Sequence, residues 1–72
     1  MATTYTIWIK IAGIIDDTKA GHTNLIRLIN EAESIIDVLE DKDKWTSKEL
    51  GEGEVWRKEN KKGDRILIVE ST

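Results

Sequence analysis

His22 is the single histidine of the chain, and the adjacent carboxylates Asp16 and Asp17 lie a few positions before it. Imidazole is the usual general base near neutral pH and a common metal ligand, so these three residues are the obvious material for an acid–base or metal site. Their spacing matches no motif that assembles one, and a place in a loop or at a helix entrance accounts for His22 more simply. There is no cysteine, hence no thiolate nucleophile, no disulfide and no thiolate set for zinc. No serine stands in a nucleophile-elbow setting. Gly51-Glu52-Gly53 is too short and too acidic for a phosphate-binding loop, which relies on bare backbone amides and often a lysine. Carboxylates are plentiful, yet a chain of 72 residues leaves little room to enclose a substrate pocket around them. These residues read as a non-enzymatic protein with no cofactor and no metal site.

What remains is recognition chemistry. The chain has three tryptophans, Trp8, Trp45 and Trp56, and exposed tryptophans dominate contact surfaces. Glu33, Asp37, Glu40 and Asp41 concentrate negative charge in one segment, while Arg57, Lys58, Lys61, Lys62 and Arg65 concentrate positive charge in another. The elements that carry these groups decide which of them face outward.

Residues 4–12 alternate with period two. Tyr5, Ile7, Ile9 and Ile11 share one side, and Thr6, Trp8, Lys10 and Ala12 the other, which predicts a strand. Gly13 and the polar run Asp16–His22 end it, and that run reads as a loop closed by Gly21. Thr23 can cap a helix running from Asn24 to about Asp41, with Leu25, Leu28, Ile29, Ala32, Ile35, Ile36 and Leu39 in one apolar stripe. Thr46–Glu49 resembles a capping box and reads either as one helical turn or as a short edge strand. Glu54–Glu59 and Arg65–Glu70 read as two strands joined by the turn Asn60-Lys61-Lys62-Gly63. No repeat, linker or low-complexity segment divides residues 1–72, so one domain is expected. The fold class is α+β, a single helix packed on a small antiparallel or mixed sheet in the order β-α-β-β(-β). With its short length and Trp45 soon after the helix, this outline resembles the dodecins. The likeness covers topology and length only, with no residue-level match in the first strand or the helix. Neither flavin binding nor a dodecameric shell is carried over.

One helix covers one face of a sheet. The tyrosine and isoleucines of the first strand are the natural partners of the helix stripe, which sends Trp8 to the opposite face. The last strand is apolar on both sides, unlike a strand of a one-sided sheet, and it adds two aliphatics there. Trp56 joins Trp8 if Val55 points inward. Such a patch would reach about 500 Å², more than monomers commonly expose. Its burial would supply on the order of 10 kcal/mol before association costs, enough to drive dimerisation or partner binding. The helix is also charged against its dipole, with Arg27 early and Asp37, Glu40 and Asp41 late. Glu33, Asp37, Glu40 and Asp41 therefore read as an acidic strip for a basic partner, or as an ordinary solvated face. Arg57, Lys58, Lys61, Lys62 and Arg65 form a secondary basic patch and polarise the molecule.

With 39% hydrophobic and 35% charged residues, the chain has the composition of a folded, soluble domain. Its apolar runs fall short of the roughly 20 residues of a membrane span, and residues 1–4 do not look like a secretory signal. A cytoplasmic location is expected, that of a host cell if the chain is phage-encoded. The net charge of −3 weighs against general nucleic-acid binding, where phosphate neutralisation dominates. The resulting expectation is a small homodimeric protein-binding module whose partner is itself, a basic host protein, or both. Acidic, cysteine-free α+β chains of this size are common among phage and mobile-element inhibitors of host defence or nucleic-acid enzymes, the anti-CRISPR proteins among them. The alternatives are an oligomer that stacks a planar ligand between tryptophans, and a single-stranded nucleic-acid module using Trp8 beside the basic patch.

Overall fold

The computed structural model describes residues 3–13 and 15–71. Five strands and one helix follow one another as β1 (Thr4–Ile11), β2 (Ile15–His22), α1 (Leu25–Asp37), a 3-10 turn (Lys42–Lys44), β3 (Thr46–Ser47), β4 (Glu54–Glu59) and β5 (Arg65–Ser71). The strands form one sheet in the spatial order β2-β1-β5-β4-β3, with every neighbouring pair antiparallel. The expected class holds, one helix on an antiparallel sheet. A second strand, paired with the first as a hairpin, precedes the helix, so the order is β-β-α-β-β-β, which departs from the dodecin outline.

The inner face is built as its periodicity dictates. Ile7, Ile9 and Ile11 of β1 and Ile66 and Ile68 of β5 lie at most 3% exposed, under Leu28, Ala32 and Ile36 of the helix. In β1 and β5, Ile7 pairs with Ile68 and Ile9 with Ile66. This aliphatic ladder is the centre of the core. Burying each such side chain contributes about 1.5–3 kcal/mol relative to exposure.

Three expectations are corrected. The run Asp16–His22 is not a loop, because Ile15–His22 pairs along β1 as the edge strand β2. Its residues are almost all exposed, so it has no apolar alternation to betray it, and its neighbour's ladder makes it a strand. The helix is shorter than expected. Asn24, not Thr23, is the cap, its Oδ1 accepting the Arg27 N–H at 3.1 Å. The helix ends at Asp37, where Leu39 N–H bonds back to Ile36 O at 3.0 Å and tightens the last turn. Asp41 is thereby off the helix. Finally, Trp56 does not reach the outer face. It stands opposite Ile68 in β5, while Val55 is the extra residue of a bulge between Glu54 and Trp56.

Of the two readings of Thr46–Glu49, the edge strand holds, for Thr46–Ser47. Trp45 closes the 3-10 turn just before it and is buried in the core at 7% exposure.

Candidate functional site: the open sheet face

Alternation on β1 and β5 leaves Thr6, Trp8 and Lys10 beside Leu67 and Val69 on the face away from the helix. The register sets them in rows across the strands. Trp8 lies between Thr18 of β2 and Leu67 of β5, and Leu67 faces Arg57 of β4. In the next row Thr6 and Glu54 both face Val69, and in the row beyond Trp8, Lys10 faces Asp16 on one side and Arg65 on the other, with Glu59 opposite Arg65. The face is therefore a small apolar centre framed by charge.

Arg57 is the best-held charged group of that frame. Its Nε donates to Glu59 Oε2 at 2.5 Å and its Nη1 to Glu54 Oε2 at 2.9 Å, with all three side chains no more than 24% exposed. The hydrogen bond to Glu59, opposed by partial burial and reinforced by the charges of Glu59 and Glu54, makes Arg57 harder to deprotonate than a free arginine. The bulge at Val55 makes this possible. By strict alternation Glu54 would share the face of Trp56, but the extra residue shifts the phase and aligns Glu54 with Arg57 and Glu59. The sequence pattern puts Arg57 in a basic patch, whereas the structure pairs it with Glu54 and Glu59. The alternating Arg57 and Glu59 were a readable signal, but the bulge that adds Glu54 was not.

The exposed apolar area is smaller than the sequence suggested. Trp8 is 49% exposed, which for a side chain of about 250 Å² leaves on the order of 120 Å². Leu67 and Val69 are half-buried and add less. A patch of about 200 Å² is worth roughly 5 kcal/mol at 25 cal/mol/Å², no more than the lower range of association costs. It suits the centre of an interface and is too small to be a whole one.

The other sequence-predicted residues separate. Trp56 is half-buried against the core, with Lys58 Nζ 5.8 Å from its ring centroid on the helix side. Lys61 and Lys62 are exposed in the β4–β5 turn, and Arg65 is exposed on the open face. The basic patch is thus dispersed over three surfaces. Glu33, Asp37 and Glu40 are exposed. Glu33 and Asp37 line an open groove of about 630 Å³ with Asn30, Asp43, Lys42 and Lys58, and Asp37 meets Lys42 at 3.7 Å. Asp16 and His22, at opposite ends of β2, are about 20 Å apart along an extended strand, which dismantles the conceivable acid–base site. Among the described residues no three metal-ligating side chains converge. The Gly51-Glu52-Gly53 loop is closed on itself, Gly51 N–H donating to Glu54 Oε1 at 2.9 Å.

Asp41 belongs to a different structure, a polar hub at one end of the sheet. Its Oδ1 accepts from Trp45 Nε1 at 3.2 Å and its Oδ2 from Asn60 Nδ2 at 2.8 Å. Asn60 Nδ2 also donates to Asp64 Oδ2, while Asn60 Oδ1 accepts the N–H groups of Lys62 and Asp64, each at 3.0 Å. Asp64 Oδ1 accepts the Ala12 N–H at 3.1 Å. Burial pushes the Asp41 carboxyl up, but hydrogen bonds from Asn60, Trp45 and its own backbone, with the nearby charge of Lys62, outweigh it. The result lies below the ordinary aspartate value. Asp41 is thus committed to the fold, tying the segment after the helix to the β4–β5 turn. No family model, curated protein or solved structure matches this chain. Among the described residues no helix is long and apolar enough to cross a membrane.

Proposed function

We propose that this chain is a small non-enzymatic protein-binding module whose working surface is the open sheet face centred on Trp8. The observation that carries the reading is a half-exposed tryptophan on the uncovered face, in one row with Leu67 and an arginine already fixed by two carboxylates. Tryptophan and arginine are the residues that most often anchor protein interfaces, and anchors work best inside a ring of near-neutral contacts. Here Thr6, Thr18, Lys10 and Arg65 supply that ring. The exposed acids Glu33, Asp37 and Glu40 on the far side form a second, weaker contact for a basic partner. Surface blockade of a larger protein is the mode of action such a face suits, as in the phage-encoded and anti-CRISPR-like inhibitors of host enzymes.

Ligand stacking between tryptophans is less favoured. Trp45 is buried and Trp56 lies on the helix side, so the three rings do not share a surface. Binding of single-stranded nucleic acid is less favoured for a related reason, because Arg57 is neutralised by Glu54 and Glu59.

The test is quantitative capture from a cell extract by immobilised wild type, Trp8→Thr, and the combined reversal Glu33→Lys, Asp37→Lys, Glu40→Lys. A hot-spot tryptophan is worth at least about 2 kcal/mol, so Trp8→Thr should lower partner affinity roughly 30-fold, with the fold verified by circular dichroism. Capture that survives Trp8→Thr but is lost on charge reversal would move the working surface to the helix.

A further inference from the structure

Strand β2 is the edge of the sheet. It pairs with β1 on one side, and among the described residues no strand lies on the other. It is eight residues long and exposed along most of its length, whereas the strand at the opposite edge, β3, has two residues. Long edge strands invite pairing with another chain, and proteins commonly blunt them with charge. The charges of β2 are arranged differently. Asp17 and Lys19 flank Thr18 symmetrically, and both point to the helix side, opposite Ile9 and Ile7 respectively.

We infer that β2 is the interface of a homodimer, two copies pairing antiparallel, edge to edge, about a two-fold axis through Thr18. A two-fold axis perpendicular to the sheet keeps both helices on the same side, so helix-side residues face helix-side residues and only registers two residues apart are allowed. Centring the axis on Asp17 sets two carboxylates against each other, and centring it on Lys19 sets two ammonium groups against each other. Centring it on Thr18 sets Asp17 against the partner subunit's Lys19 twice, with Thr18 meeting its own copy. Like charges directly opposite destabilise a strand pair and opposite charges stabilise it, so the sequence of this edge is self-complementary in one register.

Two further observations fit. The Thr18 N–H donates to Asp17 Oδ1 at 2.8 Å, which assigns this donor to the open edge, met only by a solvent-exposed side chain of its own strand. On pairing it turns to the Thr18 carbonyl of the second copy, and Asp17 is released toward Lys19. Among the described residues Lys19 in turn is held only by Glu31 at 3.7 Å, an exposed contact of the kind that contributes little. The dimer would be one ten-stranded sheet. Because Thr18 neighbours Trp8 in β1, the two Trp8 side chains would stand on one continuous open face, about 14 Å apart at three strand spacings. This inference does not depend on what that face binds.

The experiment is light scattering behind size exclusion across micromolar to millimolar protein, with charge-swapped variants. Wild type should dimerise. Asp17→Lys and Lys19→Asp should each weaken the dimer at least about tenfold, while an equimolar mixture of the two should restore a heterodimer. The chain has no cysteine, so Thr18→Cys introduces a single thiol on the axis and should cross-link under mild oxidation. Ala20→Cys, whose copies lie about 13 Å apart along the strand, should not. Wild type that stays monomeric, a dimer indifferent to either reversal, a mixture that fails to associate, or equal cross-linking at positions 18 and 20 would each overturn the proposal.

Discussion

Asn60→Ala is the most informative test of how this small fold is held together. Asn60 is 8% exposed and uses both ends of its amide. Its Nδ2 donates to the carboxylates of Asp41 and Asp64, and its Oδ1 accepts two backbone N–H groups. Hydrogen bonds to charged groups contribute about 1.5–3 kcal/mol each and neutral ones about 1, with losses that overlap within one network. Removing all four should cost roughly 3–4 kcal/mol, since water replaces part of what is lost. A chain of 72 residues has a total stability of roughly 4–11 kcal/mol, so the variant stands close to the unfolding threshold. At about 4–8 °C per kcal/mol for a domain of this size, the melting temperature should fall by about 12 °C or more. Thermal and urea unfolding followed by circular dichroism measures this. Asn60→Asp separates the hub from a mere packing effect, because it keeps the side-chain volume but sets a third carboxylate against Asp41 and Asp64. At neutral pH it should be at least as damaging as alanine, and it should recover relative to alanine as the pH falls toward 4. A loss below 0.5 kcal/mol for Asn60→Ala, or a pH-independent Asn60→Asp, would refute the reasoning.

The depressed pKa of Asp41 carries a sign. The unfolded chain binds this proton more readily than the folded one, so the ionised carboxylate's contribution to stability is complete above the ordinary value of about 3.9 and is lost as pH falls through the lower folded value. The stability difference between wild type and Asp41→Asn should be constant from pH 7 to 5 and shrink below 4, as read from urea midpoints. In the core, Ile68→Ala removes a fully buried side chain and should cost about 2–5 kcal/mol, and a urea midpoint unchanged from wild type would contradict the placement of that ladder.

The legible parts of this molecule were those whose own residues repeat with a structural period. Strand β1 and the helix stripe, with the β4–β5 hairpin at its predicted turn, all stand where their apolar spacing put them. Strand β2 was illegible because Asp, Lys and Gly do not favour strands, and it exists through its ladder to β1. The helix ends at Asp37 although nothing in Val38–Asp41 forbids another turn. Asp41 instead leaves the helix for partners in a hairpin nearly twenty positions away, a contact no local pattern announces. The same distance hid the hub, since Asn60, Gly63 and Asp64 are ordinary turn residues by type. The face of Trp8 followed from alternation alone, but that of Trp56 did not, because a single bulged residue reverses the phase of β4.

The two polar networks serve different ends of the same physical constraint. A domain this small cannot rely on apolar burial alone, so the hub at Asn60 secures the β1–β2 turn, the segment after the helix and the hairpin turn to one another. The Glu54–Arg57–Glu59 cluster lies instead on the open face, where it joins residues of one strand and reaches a loop only through Glu54, which accepts the Gly51 N–H. Its effect is to remove the rotamer freedom of an arginine in the row of an exposed tryptophan, across Leu67, before anything binds. An ordered side chain loses about 0.5–1.5 kcal/mol less on association than a free one, and an arginine already partly desolvated between two carboxylates presents its remaining N–H groups in a fixed fork. An arginine held only to stabilise the sheet would be replaceable by an apolar β-branched residue at little cost. On the contact surface proposed above, Arg57 stands in the row of Trp8, across Leu67, as a second anchor already fixed before binding.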